Sequence, residues 1–358
     1  MACLYHILPL KMHLALGQRL WGCPYLLSLF MSKTADPLSP WFVAAEELGE
    51  FVGIRFGRVA PGAKEPEWIY HKHINVDGIG GFVQIFRDRG VTFDCLPQIK
   101  HPSSPSAFSI LQSLPKFVRP KKRLKWAKLD GQPKPTVNTE APTTVAWHVF
   151  DEAQTVAMRH LCRNQGVTVN SFLVKHLTKA IRPFLEDQSA VVPWMLPVNV
   201  RGKVDLGRDT ANHTSYVTVK VKSYETVQDI HQNIYTALGK GEHWANWQAY
   251  QLCLPLSHGM KKYLLDSGNA MPEWYIGSFS NLGDWDAEKK INEPKCAGGW
   301  LFAPPVLRCQ LLGSGCVTYQ NQLGLVIQAH PELTTGPDAA KKWMHNWVRE
   351  IQMDLGGD

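Results

Sequence analysis

The stretch His71-Lys72-His73-Ile74-Asn75-Val76-Asp77-Gly78 sets a histidine and an aspartate four residues apart, where a strand runs into a glycine-opened helix. Upstream, Trp68 to Ile74 has the aromatic and β-branched composition of a strand. A two-residue side-chain period there puts His71 and His73 on one face and Lys72 on the other. Downstream, Gly78, Gly80 and Gly81 permit close backbone approach, while Ile79, Phe82, Val83 and Phe86 recur at helical spacing up to Gly90. The histidine pair is thus expected to end a strand and Asp77 to open a helix, a junction where α/β proteins often place chemistry. An imidazole suits general-base work there because its ordinary pKa lies near neutral. The same residues have plainer uses: aspartate is a common N-cap, and a strand-end histidine is often structural.

Two later stretches bear on the choice. Leu196-Pro197-Val198-Asn199-Val200-Arg201-Gly202 leads into an alternating segment, Thr214 to Lys222, and Gly277-Ser278-Phe279-Ser280-Asn281-Leu282-Gly283 ends another expected strand. In this order, with the HxxxDG run ahead of them, they resemble the CoA-dependent acyltransferase superfamily. That superfamily includes chloramphenicol acetyltransferase, plant hydroxycinnamoyl-type enzymes, alcohol and wax-ester acyltransferases, and peptide-synthetase condensation domains. The resemblance covers roughly residues 35–100 and 145–358 and is closest in character to the alcohol O-acyltransferases.

The resemblance implies an α/β fold of mixed sheets in two similar lobes. A tunnel between them would be entered by an acyl thioester from one side and the acceptor from the other. It implies that His73 is the general base in a direct transfer to a hydroxyl, or less readily an amine. Asp77, followed by the motif glycine Gly78, would turn away from the tunnel and pair with Arg201, a bidentate contact whose fork geometry resists rotation. An oxyanion donor is expected from the opposite lobe, with Ser280 and Asn281 first and Asn199 and Asn212 behind them, although each is also an ordinary turn residue. Acyl-CoA is the implied co-substrate, an acyl carrier protein is the other carrier that fits, and no bound cofactor or metal is implied.

The chain departs from the family pattern in three places. Lys72 stands where paired-histidine members carry a second histidine, and no DFGWG sequence of the plant enzymes is present. Only 72 residues precede His73, fewer than the family's first lobe supplies, so a shortened amino-terminal lobe is expected. Two other functions fit parts of the sequence. His71, His73 and Asp77 together suggest a metal-dependent hydrolase, since an HxH pair on one strand face can chelate zinc. A fold kept without catalysis, as a scaffold or carrier-protein docking module, fits the short first lobe.

Composition bounds these readings. With 358 residues and 44% hydrophobic content, the chain can bury a substantial core and form two domains. Its 13 tryptophans and 14 phenylalanines suit the walls of an apolar tunnel as well as cores. The net charge of +7 arises between Lys116 and Lys134, where eight basic residues face one acid, Asp130. Pro115, Pro120, Pro133, Pro135 and Pro142 punctuate this region. It reads as an exposed linker (119–144) between an amino-terminal lobe (1–118) and a carboxy-terminal lobe (145–358). The same charge would suit CoA phosphates, an acidic carrier protein or lipid headgroups, whereas only Phe117 and Trp126 interleave as aromatics, too little for a nucleic-acid site.

Cys3, Cys23, Cys95, Cys162, Cys253, Cys296, Cys309 and Cys316 show no CxxC spacing, which argues for reduced thiols and a cytoplasmic location. Asn212-His213-Thr214 is a glycosylation sequon that carries no weight without secretion. The longest clean apolar run near the amino terminus, Trp21 to Met31, is eleven residues and too short to span a bilayer. No lysine or arginine precedes the first apolar stretch, against a signal peptide. Beyond the linker, Asp151 and Gln154 form a capping-box signal for a helix ending near Gly166, and Phe172 to Phe184 marks a second. A strand is expected over Val191 to Arg201 and a helix from Val227 to Leu238. Strands around Leu301 to Cys309, Cys316 to Gln320 and Leu323 to Gln328 precede a final amphipathic helix, Pro337 to Met353.

Overall fold

The computed structural model describes residues 36–93, 96–99, 116, 121–127, 144–285, 298–333 and 338–356. The apolar run before Met31, Phe117, most of the 119–144 linker, and Cys3, Cys23, Cys95 and Cys296 lie outside the described residues. In chain order the elements begin with α1 (Ser39–Glu47), β1 (Gly53–Val59), β2 (Glu67–Lys72) and α2 (Gly78–Arg87). After the linker come β3 (Thr144–Phe150), α3 (Glu152–Asn164), α4 (Val169–Ile181), β4 (Val192–Asn199), β5 (Thr214–Val221) and α5 (Val227–Gly239). The chain continues through α6 (Glu242–Leu252), α7 (His258–Asp266), β6 (Tyr275–Asp284), β7 (Gly299–Ala303), β8 (Gln310–Tyr319), β9 (Gln322–Ala329) and α8 (Ala339–Asp354).

These strands form two sheets. The larger has the order β3-β9-β8-β6-β4-β5; β6 runs parallel to both β4 and β8, and its other pairings are antiparallel. The smaller has the order β2-β1-β7 and is antiparallel throughout. β7 therefore leaves the carboxy-terminal stretch of chain to complete the amino-terminal sheet. Strand alternation divides the faces of the large sheet: Val217, Val219 and Val221 of β5 enter the main core with Phe172 and Trp343 from the covering helices, whereas Tyr216 packs on the opposite side with Met195, Tyr250 and Tyr275. In the small lobe, Phe82, Val83 and Phe86 of α2 bury against Ile54 and Phe56 of β1 and Trp300 and Phe302 of β7.

Local signals explain most boundaries. The Asp151–Gln154 capping box is formed, so α3 begins where its side chains satisfy the free backbone N–H groups. Asp77 caps α2, its Oδ1 accepting from Gly80 N at 2.8 Å. The strand expected to reach Ile74 stops at Lys72. Asn75 N–H bonds the Lys72 carbonyl at 3.0 Å and closes a turn, placing His73 in that turn. His71 and His73 consequently do not share a face: His71 meets Phe56 edge-on, and His73 stacks on Phe42. α6 has no readable apolar stripe because residues 243 to 250 are all buried, which removes the periodic signal an amphipathic helix gives.

Candidate active site

β4 and β6 pair only at Trp194 with Gly277 and at Met195 with Ser278. Beyond these pairs the strands part, next to Pro197, which has no N–H to donate to a ladder. A cavity of about 130 Å³, open at its mouth, lies there between the lobes. Its wall includes His73, Asp77 and Gly78 from the small lobe, and Asn199, Asn212, Ser280 and Asn281 from the large one. The structure thus brings the sequence-selected residues to one cavity, apart from Arg201, which sits behind it.

Arg201 and Asp77 form a buried bidentate pair, with Nη1 to Oδ2 at 2.8 Å and Nη2 to Oδ1 at 2.7 Å. Asp77 Oδ2 also accepts from His213 N at 2.9 Å and Thr214 Oγ1 at 3.1 Å, while Oδ1 takes Gly80 N. Arg201 spends its remaining hydrogens on the carbonyls of Asp209 and Ala211 and on Asn199 Oδ1. Both carboxylate oxygens are therefore occupied without His73. The aspartate is a staple between α2 and the loop that leads into β5, and its influence on His73 is through charge. Gly80 makes the staple possible, since a Cβ there would overlap the Thr210 carbonyl.

His73 is part-buried. One ring face stacks on Phe42 of α1 at 4.3 Å between centroids, and the Asn212 amide nitrogen lies 3.3 Å from Nδ1 and 3.4 Å from the His73 carbonyl oxygen. Burial pushes its pKa below the ordinary 6.5. The Asp77 charge and the backbone carbonyls of His73 and Val76 act in the opposite direction. The ring is thus a neutral base near pH 7, next to a charge that tolerates its protonated form. α1 holds Phe42 in place through Ser39, whose hydroxyl oxygen lies 2.7 Å from the Ile74 carbonyl oxygen and 2.5 Å from an Asp36 carboxylate oxygen, its one hydrogen shared between these two acceptors.

The four donor candidates stand in different situations. Asn199 gives its amide N–H to the Pro97 carbonyl at 2.6 Å and its oxygen to Arg201, so it braces the arginine. Asn212 bridges to His73. Asn281 Oδ1 accepts from Gly283 N at 2.8 Å, which leaves its NH2 end for the cavity, and Ser280 lines the same wall. Phe42, Tyr216 and Tyr250 are cavity residues that sequence reasoning missed. For Phe42 a signal existed, because Asp36-Pro37-Leu38-Ser39-Pro40 carries the residues of a helix start. Among the described residues no three His, Cys, Asp or Glu side chains are grouped to hold a metal. Among them, too, no helix is long and apolar enough to cross a membrane.

No protein-family model matches the sequence, and no curated protein is similar to it. Solved structures are similar. The trichothecene 15-O-acetyltransferase of Fusarium sporotrichioides superposes with a TM-score of 0.54 at 14% identity, over 90% of this chain and 76% of that one. The chain has the two-lobe fold of chloramphenicol acetyltransferase and the condensation domains. The condensation domain of the monacolin K polyketide synthase MokA matches with a TM-score of 0.50 at 11% identity, over 82% of this chain and 70% of that one. In this two-lobe fold the small sheet with α2 supplies one wall of the cavity, and the parted strands β4 and β6 supply the other.

Proposed function

We propose that the protein transfers an acyl group from a CoA or carrier-protein thioester to a hydroxyl acceptor, less readily to an amine, without a covalent acyl-enzyme. The observation that carries this reading is the His73 ring: neutral by burial, stacked in one plane, and set in the wall of the cavity between the lobes. The likeness in fold to an acetyltransferase and to a condensation domain supports it. A ring N–H turned to the nearby backbone carbonyls leaves the other nitrogen as the base. That nitrogen takes the acceptor's proton as its oxygen attacks the thioester carbonyl. In this reading the Ser280 hydroxyl and the Asn281 amide donate to the oxyanion. The C–S bond then breaks, and the thiol leaves with the proton from the imidazolium, giving ester and free thiol.

The donor's phosphates have a candidate seat. A groove lined by Lys116, Lys121, Lys122, Lys220, Lys222 and Lys240 also carries Glu225, Glu242 and Glu273, so the lysines outnumber the acids. Thr218 lies in this groove, and its hydroxyl meets Tyr275 at 2.9 Å on the side of the tyrosine cluster.

Free CoA measured by mass spectrometry tests the reading. Short, medium and long acyl-CoAs would each be incubated with mixed alcohols and amines and with wild type or His73→Ala. Loss of a general base lowers turnover on the order of a hundredfold or more, and a His73→Ala rate within about threefold of wild type would sink the proposal. No release from folded wild-type protein, with CoA or carrier-bound donors, would favour a docking module that keeps the fold without the chemistry.

A further inference from the structure

The cavity continues beyond the residues assigned to acyl transfer, and its far end has an uneven lining. β8 pairs with β6 so that Gln310 lies opposite Tyr275, six residues from Asn281. At about 3.3 Å per residue, that is on the order of 20 Å along the strand. The walls here are mostly apolar, with Met195, Tyr250, Met271, Pro304 and Leu307 among them. Among the described residues, two polar atoms at this end are nonetheless buried with no hydrogen-bond partner, Gln310 Oε1 and Ser278 Oγ; another in the same cavity, Asn212 Oδ1, lies at the His73 end. Gln310 and Ser278 are 5% and 2% exposed, so bulk water does not serve them. Each such atom costs about 1–3 kcal/mol if nothing pairs with it. Two at one end of the cavity are unexpected in a hole built for hydrocarbon.

The Gln310 amide has a defined orientation. Its Nε2 donates to the Pro305 carbonyl at 3.4 Å, and turning the amide over would set two acceptor oxygens against each other. The unpaired Oε1 therefore accepts and cannot donate. Ser278 has a free hydroxyl, since it is its backbone carbonyl that takes the Ser314 hydroxyl. An apolar pocket with a few placed polar groups recognises a ligand by orienting its polar atoms.

We propose that this end of the cavity selects a substrate carrying a hydrogen-bond donor, a hydroxyl or an amide N–H, on the part that lies against Gln310 and Ser278, in preference to a plain hydrocarbon chain. The inference deepens the acyl-transfer reading by naming the substrate class. It rests on that reading only for calling the occupant a substrate. Gln310 and Ser278 are then specificity-determining residues, Gln310 opposite a position six residues along β6 from Asn281 and Ser278 two residues from Ser280.

Binding without turnover tests it. The probes are 1-octanol and 1,8-octanediol, titrated by ligand-observed NMR against the whole chain with no thioester present. Transfer from water to an apolar site favours octanol, because the diol must shed a second hydrated hydroxyl, so tighter diol binding requires a polar partner in the cavity. Wild type should bind the diol more tightly than octanol. Gln310→Met, close in volume but without the acceptor, should weaken the diol at least tenfold and leave octanol unchanged or tighter. If Gln310→Met fails to fold, Ser278→Ala should narrow the same preference. Tighter octanol binding in wild type, or a diol affinity that neither variant changes, would overturn the proposal and leave the polar atoms to trapped water. Failure of the acyl-transfer reading shows up separately, as absence of His73-dependent thiol release.

Discussion

At the scale of single residues, His73 is set by three neighbours with different physical effects. Phe42 covers one ring face and keeps water from it, the Asn212 amide donates to the His73 carbonyl beside the ring, and Asp77 contributes charge without a hydrogen bond. Burial dominates, so the imidazole loses its proton at a lower pH than the ordinary 6.5. Only the neutral ring accepts a proton, so kcat/KM should rise with pH, pass a midpoint below 6.5 and then level off. Phe42→Ala exposes the ring and should move that midpoint up toward 6.5 while lowering the plateau. A pH–rate profile checks both, and an unmoved midpoint would reduce Phe42 to a space-filling role.

At the scale of elements, the Asp77–Arg201 pair ties the first turn of α2 to the end of β4. Arg201 is buried, and among the described residues its partner carries the only carboxylate oxygens it touches; the rest are carbonyl and amide oxygens. Asp77→Asn leaves that charge without its counter-ion, and breaking a buried pair from one side costs roughly 3–5 kcal/mol. The expected result is a lower urea midpoint together with slower turnover, since the His73 turn directly precedes Asp77. Stability unchanged within about 1 kcal/mol would show that the neutral acceptors suffice for Arg201. The HxxxDG run was legible because its spacing is local: four residues and one glycine fix how a turn enters a helix. Its partners were legible only by analogy, because 124 positions separate Asp77 from Arg201. His73 itself was placed on a strand by composition and sits in a turn, because the Val52 carbonyl and the Lys72–Asn75 bond claim its backbone.

At the scale of the whole molecule, two charge distributions have consequences. Lys122 and Lys240 are exposed in the lysine groove, so Lys122→Ala/Lys240→Ala should weaken acyl-CoA binding, more at low salt than at high. Equal donor affinity at low salt would remove the groove from the donor site. The second distribution is of histidines inside the fold. His176 on α4 is buried against α8, pushed down to about 4 by burial, with the nearby Asp354 acting against the shift. His71, His148 and His213 are lowered for the same first cause. The unfolded chain binds these protons first as pH falls. The stability from keeping His176 neutral is therefore full above 6.5 and declines from there through about 4. Urea midpoints at pH 7.5, 6 and 5 should fall in that order, and His176→Gln should flatten the slope. A midpoint constant between pH 7.5 and 5 would contradict this account.

The sequence by itself determined the elements with a strong local period and the order of the motifs. Ser278-Phe279-Ser280 alternates polar and apolar because one side of β6 faces the cavity and the other the core. Asp151 and Gln154 start a helix because their side chains satisfy neighbouring N–H groups. Only the tertiary structure decided which chain segments meet: that β7 crosses to the small sheet, that α1 lays Phe42 on His73, and that Gln310 shares a wall with Ser278. These contacts are stabilised by burial between surfaces far apart in sequence. Burial depends on shape and area, and it leaves no periodic mark in the order of residues.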